Sequence, residues 1–242
     1  MAQHELSHQS GFGNTFSSEA ANGALPVGQN SPQRVPKGLY AEVLSGTAFT
    51  APRAENQSTW LYKLRPSAMH RPYRRALQRL VRSGPFAEVE TAPNRLRWDP
   101  FPVPTKPTDF VDGLATLAGS GDPGMQAGLA VHLYRTNQSM RDRYFYCADG
   151  ELMFVPQEGA LLLFTELGRI SLAPGEIAVV PRGMKFQVTL AGRSARGYLC
   201  ENYGSHFRLP ELGPIGSHGL AQKRDFLYPA AAFEDKPGKC QL

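Results

Sequence analysis

Six histidines, His4, His8, His70, His132, His206 and His218, are the side chains of this 242-residue sequence best suited to ligate a metal or to move a proton near neutral pH. His4 and His8, in the polar N-terminal arm, stand at His-x-x-x-His spacing; no other two stand at that spacing or at His-x-His, so no strand or helix face beyond the arm gathers a pair of imidazoles. A mononuclear iron site needs two imidazoles and a carboxylate converging on one face, with positions left open for oxygen and substrate. The local cluster closest to such a set is His206, Glu211 and His218 around LPELGPIGSHG, where Pro210 and Pro214 make the segment read as a rigid connector. His132, inside the strand-like run AVHLYRT, reads as a structural or surface imidazole, and Glu151 opens a strand-like run of its own. Ser217, His218 and Asp225 include the residue types of a nucleophilic triad, but no spacing rule brings them together. Cys147 and Cys200 lie in or beside strand-like runs, where a small buried hydrophobe is the default, and Cys240 stands near the C-terminus. No Gly-x-Ser-x-Gly elbow, phosphate-cradling Gly-x-x-x-x-Gly-Lys-Ser/Thr or Gly-x-Gly-x-x-Gly is present. No residue is therefore assigned a catalytic, cofactor-binding or metal-binding role.

The elements that would position these groups centre on residues 144–190. Short apolar runs at 151–155, 160–165, 169–172, 177–180 and 185–190 alternate with turn signals at Asp149-Gly150, Glu158-Gly159, Leu167-Gly168, Pro174-Gly175 and Arg182-Gly183. That rhythm predicts antiparallel hairpins closing a small barrel or sandwich. The spacing Gly175, Pro181, Gly183, Phe186 resembles the second motif of the cupin superfamily, whose last position is a histidine in metal-binding members. The first motif, His-x-His and then Glu ahead of a Gly-ended strand, lays over Tyr144, Tyr146, Glu151 and Gly159. Of the four ligands the resemblance implies, Glu151 alone remains, and one carboxylate does not hold a transition metal against water. The reading is a cupin-like scaffold without its metal site.

Bulk properties agree with a turn-rich β protein: 20 prolines and 24 glycines accompany 41% hydrophobic residues. A formal charge of +5 suits an anionic small substrate and is too diffuse for nucleic acid. Three cysteines without Cys-x-x-Cys spacing fit a reducing cytoplasm, and neither a secretory leader nor a membrane-spanning run is legible. Residues 1–38 form a polar arm, anchored by Phe12 and Phe16, that orders by lying on something else. YAEVLSGTAFTAP and STWLYKL alternate like half-buried strands. After Pro72, the six-arginine stretch 65–82 places Tyr73, Leu77, Leu80 and Val81 on one face of a helix, with its basic face read as solvated or as a subunit contact. A Pro-rich connecting loop follows to Phe110, and Asp109 is expected to cap a short helix, Phe110–Leu117, ended by Gly119.

The strings SGFGNTFSSEA (10–20), GALPVGQNSPQRVPKGLYAEVLSGTAFTAPR (23–53), WLYKLRPS (60–67), NRLRWDPF (94–101), DFVDGLATLAGSGDP (109–123) and YGSHFRLPELGPIGSHGLAQKRDFLYP (203–229) resemble the N-terminal region of the homogentisate 1,2-dioxygenases. The resemblance implies a mainly β chain: an antiparallel cupin-like sandwich of jelly-roll type with an extended N-terminal arm and a few short helices. The organisation it suggests is an arm and β-rich segment over 1–122, the sandwich over 123–205, and a connector towards a catalytic half over 206–242. It further implies ring opening of homogentisate with O2 to maleylacetoacetate in phenylalanine and tyrosine breakdown, Fe(II) held in a C-terminal half, and cytoplasmic trimers paired into hexamers, with neither nucleic acid nor membrane as partner. The chain reads as the N-terminal part of such an enzyme, inactive alone and with no metal expected on its own residues. The alternative is a non-catalytic cupin-like module for assembly or small-molecule binding.

Overall fold

The computed structural model describes residues 6–10, 17–26, 34–73, 80–88, 90, 92–208, 223–236 and 238–241. The basic helix expected after Pro72 falls mainly on 74–79, and the aromatic anchors Phe12 and Phe16 also lie outside the described residues. Among those described, strands dominate and helical structure is confined to single 3-10 turns such as Pro36–Gly38, Ser67–Met69 and Pro123–Met125. No helix among them is long and apolar enough to cross a membrane. Contacts group the chain into two compact units, one of residues 1–75, 164–170 and 208–237, the other of 76–163, 171–207 and 238–242.

The first unit holds two antiparallel ribbons. Strand β1 (His8–Ser10) pairs with β13 (Leu227–Pro229), and β2 (Tyr40–Ser45) with β3 (Ser58–Lys63). Lys63 is the polar hub of this unit. Its Nζ meets Glu42 Oε2 at 2.9 Å, Ser67 Oγ at 2.9 Å and the Glu166 carboxylate, while Ser67 in turn donates its hydroxyl to Glu42 at 2.7 Å. Half-buried charges packed this way are stable only while each keeps its partner.

The second unit carries the sandwich. One sheet runs in the order β10 (Ala178–Val180), β7 (Glu151–Glu158), β12 (Ala195–Asn202), β5 (Ala127–Thr136), β4 (Ala115–Asp122), antiparallel throughout. The other runs β14 (Lys239–Gln241), β6 (Arg143–Phe145), β11 (Phe186–Leu190), β8 (Leu161–Thr165), β9 (Gly168–Leu172). Side chains alternate across each strand, so the residues that point inward can be read off the burial: Ala130, His132, Tyr134 and Thr136 on β5, Leu152 and Phe154 on β7, Leu199 and Glu201 on β12. Rings fill the middle. Phe154 and Phe186, from opposite sheets, meet edge-on at 5.6 Å between centroids; Phe110 stacks on Phe154 at 5.6 Å; Phe145 reaches Phe186 at 5.6 Å. Gly197 is required where it lies, because a Cβ there would stand 2.6 Å from the Tyr134 hydroxyl and 2.4 Å from the Val155 carbonyl oxygen.

The strands expected between 151 and 190 are present with ends shifted by a residue or a few, β7 running furthest beyond its expected end. The expected helix Phe110–Leu117 is not: residues 110–113 make a single turn, and β4 starts at Ala115. Asp109 does cap, accepting the Asp112 amide at 3.1 Å, but Arg143 then takes both carboxylates, Asp109 at 2.8 Å and Asp112 at 2.8 Å. Gly113 lies where a Cβ would stand 1.9 Å from the Arg135 carbonyl oxygen, and its own carbonyl accepts the Arg135 amide at 3.3 Å, so the turn is drawn onto β5 instead of continuing as helix.

Two outcomes follow from this packing. Phe186→Ala removes a fully buried ring that touches three others and should cost about 3–5 kcal/mol in denaturant unfolding, with little change in the transition's slope. For Glu42, burial raises the carboxyl's pKa, but the Lys63 ammonium and the Ser67 hydrogen bonds outweigh it and hold it below the ordinary value. A carboxylate depressed on folding stabilises above its unfolded pKa and loses that contribution as pH falls through the folded one. Glu42→Gln should therefore be less stable at neutral pH by about 1–3 kcal/mol and should flatten the acid limb of a stability–pH curve.

Candidate functional site

The cupin metal position provides the first place to look for chemistry. Phe186 sits there with none of its surface exposed, and the residue directly opposite it on β6 is Phe145. Cross-strand partners share a face and their chain neighbours point to the other. Tyr144 and Tyr146, laid over the two histidines of the first motif, therefore do not face Phe186; Tyr146 lies instead under the Lys185 ammonium, 5.6 Å from its ring centre. Glu151 is also on the far side of β7 from Leu152 and Phe154. It pairs across the strand with Asn202, binds the His206 imidazole, and accepts the Phe207 amide at 2.9 Å. The overlay thus holds in spacing and fails in direction. Phenyl rings have no lone pair for iron, and among the described residues no group of three or more His, Cys, Asp or Glu side chains is placed to hold a metal ion. The residues here do not fit a mononuclear iron.

His206 finds an acid in Glu151, 55 residues upstream. Glu211, Ser217 and His218 lie outside the described residues.

The inward-facing carboxylate is Glu201, 6% exposed. Strand β12 points Ala195, Gly197, Leu199 and Glu201 inward by simple alternation, and Leu152 is its partner on β7. Both carboxylate oxygens are engaged: Oε2 accepts a hydrogen bond from His132 Nε2 at 2.8 Å, and Oε1 accepts one from the Cys147 thiol at 2.8 Å. His132, 5% exposed, reaches Thr116 Oγ1 on β4 through Nδ1 at 3.0 Å. Thr116 in turn accepts the Arg82 amide at 2.7 Å and stands 3.3 Å from the Arg82 carbonyl oxygen. The result is a continuous chain of polar groups from a surface segment, through three strands, to a loop thiol.

This arrangement is a hydrogen-bonded chain that holds its thiol protonated. Burial, followed by the Glu201 charge and hydrogen bond, pushes the Cys147 thiol far above its ordinary range, so the thiolate that a nucleophile requires is suppressed. Cys147 is thus more than the small hydrophobe expected, since it is tied to a carboxylate, while Cys200 lies half-buried on the outward face of β12. Burial raises the Tyr134 and Tyr203 phenols as well, which keeps both neutral. Glu201 went unnoticed in the sequence reading, although the alternation of ARGYLCEN already places it with Leu199; its partners stand 54 and 69 residues away, where no local pattern reaches.

Solved cupin structures resemble parts of this chain. A cupin-2 domain protein from Shewanella frigidimarina is 22% identical over 31% of this chain and 70% of its own, with a TM-score of 0.27. A cupin superfamily protein from Desulfitobacterium hafniense is 12% identical over 37% and 74%, with a TM-score of 0.31, and a cupin domain from Schizosaccharomyces pombe is 14% identical over 37% and 59%, with a TM-score of 0.32. The broader match is in sequence: a model of the homogentisate 1,2-dioxygenase N-terminal region aligns with residues 7–242. A match spanning arm, ribbons and sandwich alike places this chain in the homogentisate 1,2-dioxygenase N-terminal family.

Proposed function

We propose that this chain is the N-terminal portion of a homogentisate 1,2-dioxygenase, the enzyme that opens the aromatic ring of homogentisate with O2 to give maleylacetoacetate in phenylalanine and tyrosine catabolism. The observation that carries this reading is the family match across residues 7–242. In it, these residues supply scaffold and assembly surface, and the Fe(II) belongs to family residues outside this sequence. Support for the division of labour comes from the sandwich itself, whose interior is spent on phenylalanine rings and on a carboxylate already satisfied at both oxygens. The enzyme is read as a cytoplasmic homo-oligomer of trimers paired into hexamers, without nucleic acid or membrane as partner.

The surface for such assembly is apolar. A single register row crosses the outward face of the five-stranded sheet as Val179, Met153, Cys200, Val131 and Ala118. Around it, Ile177 is 63%, Leu129 42% and Tyr198 40% exposed. Contiguous apolar area of this kind marks interaction surfaces.

Anaerobic loading of the purified chain with Fe(II), followed by removal of free metal, should leave no bound iron and no oxygen uptake with homogentisate. Uptake that returns when the C-terminal half of a family member is supplied in trans supports the assignment; stoichiometric iron with turnover by this chain alone overturns the scaffold reading. In sedimentation velocity the isolated chain should self-associate and bind an apolar-surface dye. A clean monomer without dye binding would count against the assembly role and favour a self-sufficient cupin-like module.

A further inference from the structure

The hydrogen-bond chain ending on Arg82 contains one hydroxyl with two possible destinations for its proton. Thr116 Oγ1 accepts the Arg82 amide at 2.7 Å, and it lies 3.0 Å from His132 Nδ1 and 3.3 Å from the Arg82 carbonyl oxygen. His132 Nε2 must carry a proton in either charge state, because the group it faces, the Glu201 carboxylate, only accepts. The variable proton is therefore the one on Nδ1. With Nδ1 bare, the imidazole is an acceptor there, and the Thr116 hydroxyl proton points at it. Arg82 is then held to Thr116 through its amide alone. With Nδ1 protonated, the ring becomes a donor, Thr116 Oγ1 accepts from both the ring and the Arg82 amide, and its own proton turns to the Arg82 carbonyl. A hydroxyl has two lone pairs and one proton, so all three bonds are made at once.

We propose that His132 is an internal proton sensor, and that the Thr116 hydroxyl converts its charge state into the strength with which segment 80–83 is held to strand β4. The proton comes from and returns to solvent, and no bond between heavy atoms changes. Among the described residues, Glu201 from β12 bonds the ring, with Cys147 beyond it from the loop before β7 and Tyr203, just after β12, within the field of Glu201; in the segment itself Arg82 pairs with Glu88 at 3.6 Å and Ser83 donates to Asp149 at 2.8 Å. The segment is otherwise tied to β4 by the Thr116 amide on the Leu80 carbonyl at 2.8 Å, a bond that does not sense the imidazole.

The test uses the whole chain. The His132 Cε1 resonance is followed by NMR from about pH 5 to about pH 8, the range in which an imidazole exchanges its proton. Amide exchange at Arg82 is measured over the same range and corrected for the intrinsic pH dependence of exchange. Protection at Arg82 should rise about fivefold as His132 gains its proton, the factor that one net hydrogen bond carries, with the same midpoint as the resonance. Thr116→Val should abolish that pH dependence while His132 still titrates, and Thr116→Ser, which keeps the hydroxyl, should retain it. Glu201→Gln, which removes the facing charge, should leave the two midpoints coincident wherever they fall. Protection that is flat with pH, that keeps its midpoint in Thr116→Val, or that changes while His132 holds one charge state throughout, would overturn the proposal.

Discussion

Phe110, Phe145, Phe154 and Phe186 set what the interior of the sandwich can contain. They arrive from both sheets and from the turn that precedes β4, and each ring lies within about one ring-width of another. Rings that fill the interior offer no lone pair to a coordination sphere. The same constraint fixes register. Phe145 and Phe186 pair directly on the inner face, so Tyr144 and Tyr146 have to turn outward. A one-residue slip of β6 would exchange those faces and bring two phenolic oxygens into an apolar core, at a cost no nearby donor could offset. The scaffold character of this half thus comes from ring packing and strand parity together.

Where the rings end, polarity begins, one pleat repeat further along the same strands. Leu199 and Phe154 are cross-strand partners within the aromatic region; two residues on, Glu201 and Leu152 are partners, and Glu201 carries a charge inward. A buried carboxylate is tolerable only when its oxygens are occupied by donors. Here the donors come from different elements, His132 on β5 and Cys147 before β7, so satisfying the charge also fastens those elements to β12. The polar chain is therefore as much a part of the fold's specification as the rings are, because each member fails if another is misplaced.

Period-two patterning made most of the sandwich legible before any coordinates. Turn pairs such as Asp149-Gly150 and Pro174-Gly175 bracket strands whose ends moved by only a few residues. Glu201 was legible by the same rule, as the next inward position after Leu199. What could not be read was partnership. Cys147 and Glu201 are 54 residues apart, and His206 reaches Glu151 across 55, so each pair exists only once the sheet has closed. The misread helix at Phe110 has the same origin. Asp109 and a following apolar run form a sound local helix start, but Arg143 and the Arg135 carbonyl, both distant in sequence, claim the turn. Local signals lose where a long-range charge pair and a close backbone approach agree against them.

The position of Thr116 shows why a buried histidine here need not be inert. Were His132 bonded only to Glu201 and to a carbonyl, its proton count would alter nothing beyond the pair, since a carbonyl can only accept. A hydroxyl between an imidazole and a backbone carbonyl is different, because it must donate to one of them and cannot donate to both. The choice is made by whether the imidazole nitrogen is an acceptor or a donor, and it is felt at Arg82, where the chain leaves β4 for residues on the surface. A threonine in place of an apolar β-branched residue at this one position is sufficient to connect the charge buried against Glu201 to the backbone of a surface segment.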